Sequence, residues 1–466
     1  MKTNFKKVFG LGFLSLFLVA CATYYQKSFD FQQYFANGQL GKAQSFLEKN
    51  EKEAEKRNRL LYFLDRGVIE QMLGNYEQSN AYFEQAYIFS QDFRKNFSQD
   101  LIGMTANPML TTYRGEDYEV VLLHFYKAMN FMQLNQLDNA LIEIRRVNVQ
   151  LNEMNDRYEY KKNRYKEDAF AHTLMGLIYE AKGDNNNAFI AYRNAYNVYK
   201  TDYKENFLMQ TPKQLKLDIL RTAQKISFNQ ELDFYEREFD TKFQAQKFDG
   251  GEVVFFWLNG LGPVKSEFSI NLSVVNGQGG LVSFANEQEQ ISIPYSSNRP
   301  YYNSEPSQFS DLKFVRMAVP KFKVRKPLIN NARIEANGKT YPFEMVENIE
   351  QIAIATLKDR MWREMAKSIG RLAIKQAAEA AAKEKNDNLG AAVSMLGAFS
   401  EKADTRNWQT LPHSIHYTRI KLDTGLQNIN LITEMNDTIS YQINIVRNQT
   451  HFQTFHTLAS TPPLEQ

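Results

Sequence analysis

The chain has 466 residues, 43% of them hydrophobic, with 56 Lys and Arg against 53 Asp and Glu. That apolar content fills buried cores and excludes a disordered tail, while the small net charge offers no electrostatic footprint for nucleic acid. A single cysteine, Cys21, excludes a disulfide framework and a cysteine-based zinc site.

The chain opens with Lys2, Lys6 and Lys7, then an apolar run from Val8 to Ala20, closed by Leu18-Val19-Ala20-Cys21. This is the basic, apolar and small-residue order of a secretory signal over residues 1–20. The run is about 13 residues, too short for a hydrocarbon core of about 30 Å. A thiol at the cleavage point resembles the lipobox of bacterial lipoproteins, so Cys21 is the predicted lipidation site. The three lysines carry the whole net charge, and the chain from Cys21 balances 53 basic against 53 acidic residues. Ala22 and Thr23 supply no Asp at the second mature position, which by the same resemblance implies the outer membrane. No acidic run of the kind linked to surface export follows, so the expected location is lipid-anchored and facing the periplasm.

Residues 21–245 read as a helical domain with internal repeats. Gly67, Gly74, Tyr76, Phe83 and Ala86 form one set with the tetratricopeptide alternation of small and bulky residues. Ala128, Phe131, Leu137, Ala140, Ile144 and Val147 form a second, and Gly176, Tyr179, Gly183, Ala188, Tyr192 and Ala195 a third. Glycine or alanine lets two helices cross closely while an aromatic fills the space beside them. The anchors 67, 128 and 176 lie further apart than the roughly 34 residues of a regular array, which predicts degenerate hairpins with insertions. Gln33, Gly38 and Ala43 mark a candidate first hairpin, and Thr211-Pro212 a cap and first helical position. The expected form is one α-solenoid over about 28–240.

The texture changes at Asp249-Gly250-Gly251, opening a predicted β-rich domain over 246–466. GEVVFFWLNGL is a continuous β-branched and aromatic run, SEFSINLSVV and EQISIPY alternate with period two, and Asn337-Gly338 is a hairpin turn. A helical insertion is expected over about 347–400, with apolar residues at three- and four-residue steps from Ile352 to Ile374, followed by LGAAVSMLGAF (389–399). Alternation resumes from about 412. The fold class is therefore α+β multidomain: a tetratricopeptide-like α-solenoid, then a β-sandwich-like domain carrying a helical insertion.

No phosphate loop, nucleophile elbow, HExxH, calcium loop or dinucleotide fingerprint occurs. No catalytic, cofactor-binding or metal-binding residue is assigned. His413 and His416, three apart on a strand, point to opposite faces and do not suit one metal. Glu143, Arg145 and Arg146 read as a solvated helix face, with a ligand clamp as the alternative. Trp257 and Trp408 read as anchors of the β core, and Asp404-Thr405-Arg406 as a cap with arginine pairing at a domain junction.

PMLTTYRGEDYEVVLLHFYKAMNF, ALIEIRRVN, VVFFWLNGLGPVK and KADTRNWQTLP together resemble a family of bacterial envelope lipoproteins with tetratricopeptide-like N-terminal halves. The resemblance implies company with other outer-membrane lipoproteins, including ones that resemble activators of peptidoglycan synthases. It assigns no residue a role. The expected function is a non-catalytic periplasmic scaffold or adaptor that binds envelope proteins through the solenoid, with the membrane as second partner through the lipid. The alternative is a glycan or peptide binder or hydrolase with its site in the β-rich domain. A groove in the solenoid lined by aromatic and asparagine residues favours the first, and an exposed cluster of two carboxylates in the β half the second.

Overall fold

The structure is a computed structural model that describes residues 28–95, 109, 111–156, 163–244, 248–276, 281–286, 291–296, 314–361, 365, 369, 402–435 and 437–464. Cys21, its signal and the 389–399 stretch lie outside the described residues.

Ten helices pair into five antiparallel hairpins among the described residues: α1 (Phe29–Ala36) with α2 (Leu40–Lys49), α3 (Arg59–Met72) with α4 (Tyr76–Lys95), α5 (Asp117–Gln133) with α6 (Leu137–Asp156), α7 (Ala169–Ala181) with α8 (Asn185–Val198), and α9 (Lys213–Lys225) with α10 (Asn229–Glu238). Each hairpin turns on one left-handed residue: Gly38, Gly74, Asn135, Gly183 or Ser227. In each the next residue's N–H reaches back five positions, as Asn75 to the Glu70 carbonyl at 2.8 Å and Gln136 to that of Phe131 at 2.8 Å. This is the Schellman closure, which satisfies the last carbonyls of the first helix. A Cβ on Gly67 would lie 2.6 Å from the Phe83 ring, and one on Gly176 would lie 2.8 Å from Tyr192 Cζ and nearer still to its edge. The close crossings expected from these two glycines are present, and in the hairpin between them the residues at the same sixteen-residue offset, Ala128 and Ile144, are both buried.

Among the described residues twelve strands form three sheets of four. The first has the order β12 (Thr450–Thr457), β1 (Gly250–Asn259), β9 (Ser414–Asp423), β8 (Glu344–Asn348), with β1 parallel to β12 and antiparallel to β9. The second is β11 (Thr438–Ile445), β10 (Gly425–Thr433), β6 (Ala332–Ala336), β7 (Lys339–Pro342). The β6–β7 hairpin turns on Asn337 and Gly338, both at positive φ, as the Asn-Gly pair predicts. The third is β4 (Ile291–Ser296), β3 (Leu281–Asn286), β2 (Val264–Asn276), β5 (Phe314–Lys323). A helix over 349–361, with helical residues at 365 and 369, lies where the insertion was expected, and Met365 and Ile369 pack on the third sheet.

The first sheet is the middle layer of the molecule. Val253, Phe255 and Trp257 of β1 face the second sheet, where Ile334, Ile429, Leu431 and Ile445 complete a sandwich core. The alternate residues Val254, Phe256 and Leu258 join Ile415 and Tyr417 in one continuous core with the helices. Burial on both faces explains why β1 is an unbroken apolar run rather than an alternating one.

Candidate functional site

The first helices of three successive hairpins, α3, α5 and α7, form the inner layer of the solenoid and are buried almost all round, whereas α6 and α8 expose one side. The inner layer packs against the first sheet and against an extended segment, 402–412, in which every residue from Thr405 to Leu411 is buried. Trp408, 1% exposed, sits 5.4 Å from the Tyr126 ring and 5.9 Å from the Phe83 ring. Its backbone N–H donates to Glu119 Oε1 at 2.6 Å and its indole N–H to Thr410 Oγ1 at 2.8 Å, while Thr410 donates to Asp65 at 2.8 Å. Arg406 pairs with Asp404 at 2.7 Å and donates to the Thr111 carbonyl at 2.8 Å and to Asn58 Oδ1 at 3.2 Å. The arginine pairing expected of this cluster is present, but the expected cap is not, because 402–408 is extended and no helix follows it. Trp257 anchors the β core as expected, but Trp408 does not: it inserts among the helices. The chain fills with its own residues the face that a solenoid usually offers to a partner.

Charged groups tie the same boundary. Glu180 of α7 accepts from Arg221 of α9 and Arg419 of β9, at 2.7 and 2.8 Å, and Arg419 also binds Glu252 of β1. Burial alone would raise the Glu180 carboxyl, but the two guanidiniums hold it well below the usual range. Glu344 accepts the N–H groups of Lys213 and Gln214, at 3.0 and 2.8 Å, so a β8 carboxylate caps α9. Asp65 and Glu119 are pushed up to about 7, chiefly by burial, which outweighs the Thr410 hydrogen bond at Asp65 and the Trp408 amide at Glu119. Asp168, the α7 cap, is raised to about 6 by burial and faces Glu347 of β8, itself raised by burial and by the Asp168 charge.

The outer layer carries an open pocket of about 370 Å³ between α6 and α8, over the start of α7. Its lining is Asn148, Leu151 and Asn152 of α6, Asn194 and Asn197 of α8, His172 of α7, and Lys166 with Glu167 from the preceding loop. None of the four asparagine side chains has an intramolecular hydrogen bond among the described residues. His172 is 9% exposed, and burial lowers its pKa to about 4, so the imidazole is neutral near pH 7. Four amides, each both donor and acceptor, converge beside one neutral imidazole and one charge of each sign. That chemistry matches a peptide main chain, which presents alternating N–H and C=O groups.

Glu143 is not on a solvated face as expected. It accepts His124 Nδ1 at 2.8 Å, Lys127 Nζ at 2.8 Å and Arg146 at 2.9 Å, and these partners overcome its burial and lower its pKa to about 2. Arg145 donates to the Tyr179 hydroxyl at 2.7 Å. Only His416 lies on β9, with His413 just before the strand, and the two diverge: His413 pairs with Glu350 at 3.0 Å, and His416 with Ser414 at 2.9 Å beneath Trp257. Burial lowers the His416 imidazole to about 3, with the neighbouring His413 adding to the shift. Among the described residues no group of three His, Cys, Asp or Glu is placed to hold a metal, and no helix is long and apolar enough to cross a membrane.

No family model and no curated protein matches the chain. Among solved structures, a crystal structure of MamA is 12% identical, covering 44% of this chain and 90% of its own, with a TM-score of 0.28. BtubC (BKLC) from P. vanneervenii is also 12% identical, covering 46% and 80%, with a TM-score of 0.31. The Rap conjugation gene regulator of the plasmid pLS20, in complex with the Phr* peptide, is 16% identical over 46% of this chain and 54% of its own, with a TM-score of 0.27.

Proposed function

We propose that this protein is a lipid-anchored adaptor of the bacterial outer membrane, held through Cys21, facing the periplasm and binding a peptide segment of an envelope protein. The helical half is a tetratricopeptide-type scaffold, an architecture suited to capturing chains. The asparagine-lined pocket carries the reading, because four amides without internal partners are poised to bond an extended main chain. Its place on the outer layer fits a molecule whose inner layer is filled by its own sheet and by 402–412. The β half then acts as a core that fixes the curvature of the helices, and the lipid keeps the scaffold at the membrane.

The test is crosslinking and pull-down of the native lipoprotein from membranes, repeated with Asn194→Ala and Asn197→Ala together. Asn197 is exposed and Asn194 half-buried, and neither side chain has an internal hydrogen bond among the described residues, so melting should be little changed while the captured partner falls at least tenfold. Undiminished capture would place binding elsewhere. Cleavage of cell-wall material by the purified protein, lost on mutating β-domain carboxylates, would replace the adaptor reading with a hydrolase.

A further inference from the structure

The loop that leads into α7 has two sides. Its outward residues, Lys166 and Glu167, line the asparagine pocket, while Asn163, Tyr165 and Asp168 are buried. Asn163 fixes the loop's shape, donating to the Tyr165 carbonyl at 2.9 Å and accepting the Tyr165 N–H at 3.1 Å. Asp168 ties the loop to the floor of the same pocket: its backbone carbonyl accepts the His172 N–H at 3.3 Å, and its carboxyl accepts the Ala171 N–H at 2.6 Å. A shift on the buried side is therefore felt at the pocket.

On that side Asp168 meets Glu347 of β8, and both are fully buried. A π-helical turn, Tyr199–Tyr203, of a kind often found at functional sites, closes the cluster. The Tyr165 hydroxyl donates to Asp168 Oδ2 at 2.5 Å, and the Tyr199 hydroxyl to the Val346 carbonyl at 2.7 Å. The Tyr203 hydroxyl lies 3.1 and 3.2 Å from the two Glu347 oxygens and faces Asp168 as well. Charged groups on the neighbouring elements are engaged elsewhere: Arg164 with Asp359, and Glu344 with the first N–H groups of α9. No Lys, Arg or His among the described residues pairs with Asp168 or Glu347. Two carboxylates so placed cannot both stay ionised. Tyr165 and Ala171 suit Asp168 to the anion, whereas Glu347, with the Tyr203 hydroxyl alone, suits the proton.

We propose that Asp168 and Glu347 hold one proton between them as a latch on this loop, a regulation that rests on the pocket being the peptide site. As pH rises that proton passes to water, and two anions face each other without a cation. The loop then leaves β8 and takes Lys166, Glu167 and the start of α7 with it. The pocket loses one wall, so capture weakens as pH rises and recovers as it falls. Burial, and after it the Asp168 charge, raises the Glu347 carboxyl, so the bound proton stabilises the closed junction and its loss at higher pH opens it. Burial also raises the phenols of Tyr165, Tyr199 and Tyr203, which stay protonated, and lowers His172 to about 4, which stays neutral.

The test uses the full lipoprotein in detergent and reads amide exchange over residues 163–172 from about pH 5 to 9, corrected for the intrinsic rate. Wild-type protection should fall by at least about tenfold across that range. Glu347→Gln and Asp168→Asn each leave at most a single anion, and asparagine caps a helix as aspartate does. Each variant should hold its protection within about twofold. Capture of the crosslinked membrane partner should fall with pH in the wild type and stay level in both variants. Unchanged exchange in the wild type, or an equal fall in either variant, would overturn the latch. Capture that Asn194→Ala and Asn197→Ala abolish but pH leaves constant would overturn it as well. A loop that responds to pH beside capture untouched by those two substitutions would strike the peptide pocket alone.

Discussion

Adding one methyl group at Gly176 tests the hairpin packing directly. The new Cβ would lie 2.8 Å from Tyr192 Cζ, so the ring must retreat by about 0.6 Å at that atom, more at its edge, to reach the ordinary contact of 3.4 Å. Tyr192 is wholly buried, and its hydroxyl donates to Glu180 at 3.1 Å. Overpacking costs about 1–3 kcal/mol, and loosening that hydrogen bond about 1 kcal/mol more. Alanine returns up to about 1 kcal/mol of helix propensity. Gly176→Ala should therefore destabilise by about 1–3 kcal/mol, read from urea unfolding with the m-value held constant. Gly41, helical with nothing within 4 Å of an added Cβ, is the control, and Gly41→Ala should be neutral or stabilising by up to about 1 kcal/mol. Tyr192→Leu should relieve much of the penalty in the double variant. Equal effects at 41 and 176, or no relief at 192, would refute the close crossing.

Asp65, Glu119 and Asp168 have folded pKa values raised above the unfolded range of about 4 to about 7, 7 and 6. Their contribution is complete below about pH 4 and is lost as pH rises through 6 and 7; Asp65→Asn should flatten the fall in melting temperature over that window. An unchanged slope would mean Asp65 is ionised in the folded chain. Cys21→Ala should abolish lipidation, since no other thiol exists, and leave the protein soluble after an alternative signal is supplied; tight membrane retention would reveal a second anchor. Residues 24–245 expressed alone should aggregate, because Phe83, Tyr126 and Phe170 lose their cover of Trp408 and Phe256; a monomeric, cooperatively melting fragment would contradict the shared core.

The helical repeats were legible where chemistry left a single choice. Gly67 and Gly176 mark crossings that admit no side chain, and Gly74 and Gly183 mark left-handed turns. The turns at Asn135 and Ser227 are of the same kind, but a serine in the left-handed region leaves almost no local signal. Asn337-Gly338 and the apolar run of β1 announced strands. The helical and β halves share one core, and no local pattern could show it, because Trp408 reads the same whether it lies on a sheet or between helices. Glu143 looked solvated because its partners His124 and Lys127 sit on the preceding helix. The asparagines of the outer pocket, 148, 152, 194 and 197, fall on two helices and converge only when those helices pack. Their i,i+3 and i,i+4 spacing was the one available hint.

The threading of 402–412 between helices and sheet sets the order in which the molecule can be completed. Helical stacks ordinarily fold through near neighbours and quickly, yet here Asp65 finds Thr410 across 345 positions and Asn58 finds Arg406 across 348. A chain made at about 5–20 residues per second leaves the α3 side of that contact open for roughly 15–70 s. Until Trp408 follows, Tyr126 and Phe83 lack the cover it gives them. This protein is thus slow by topology although most of its first half is helix. A holding factor that shields the early helices should raise its yield more than one that speeds strand pairing.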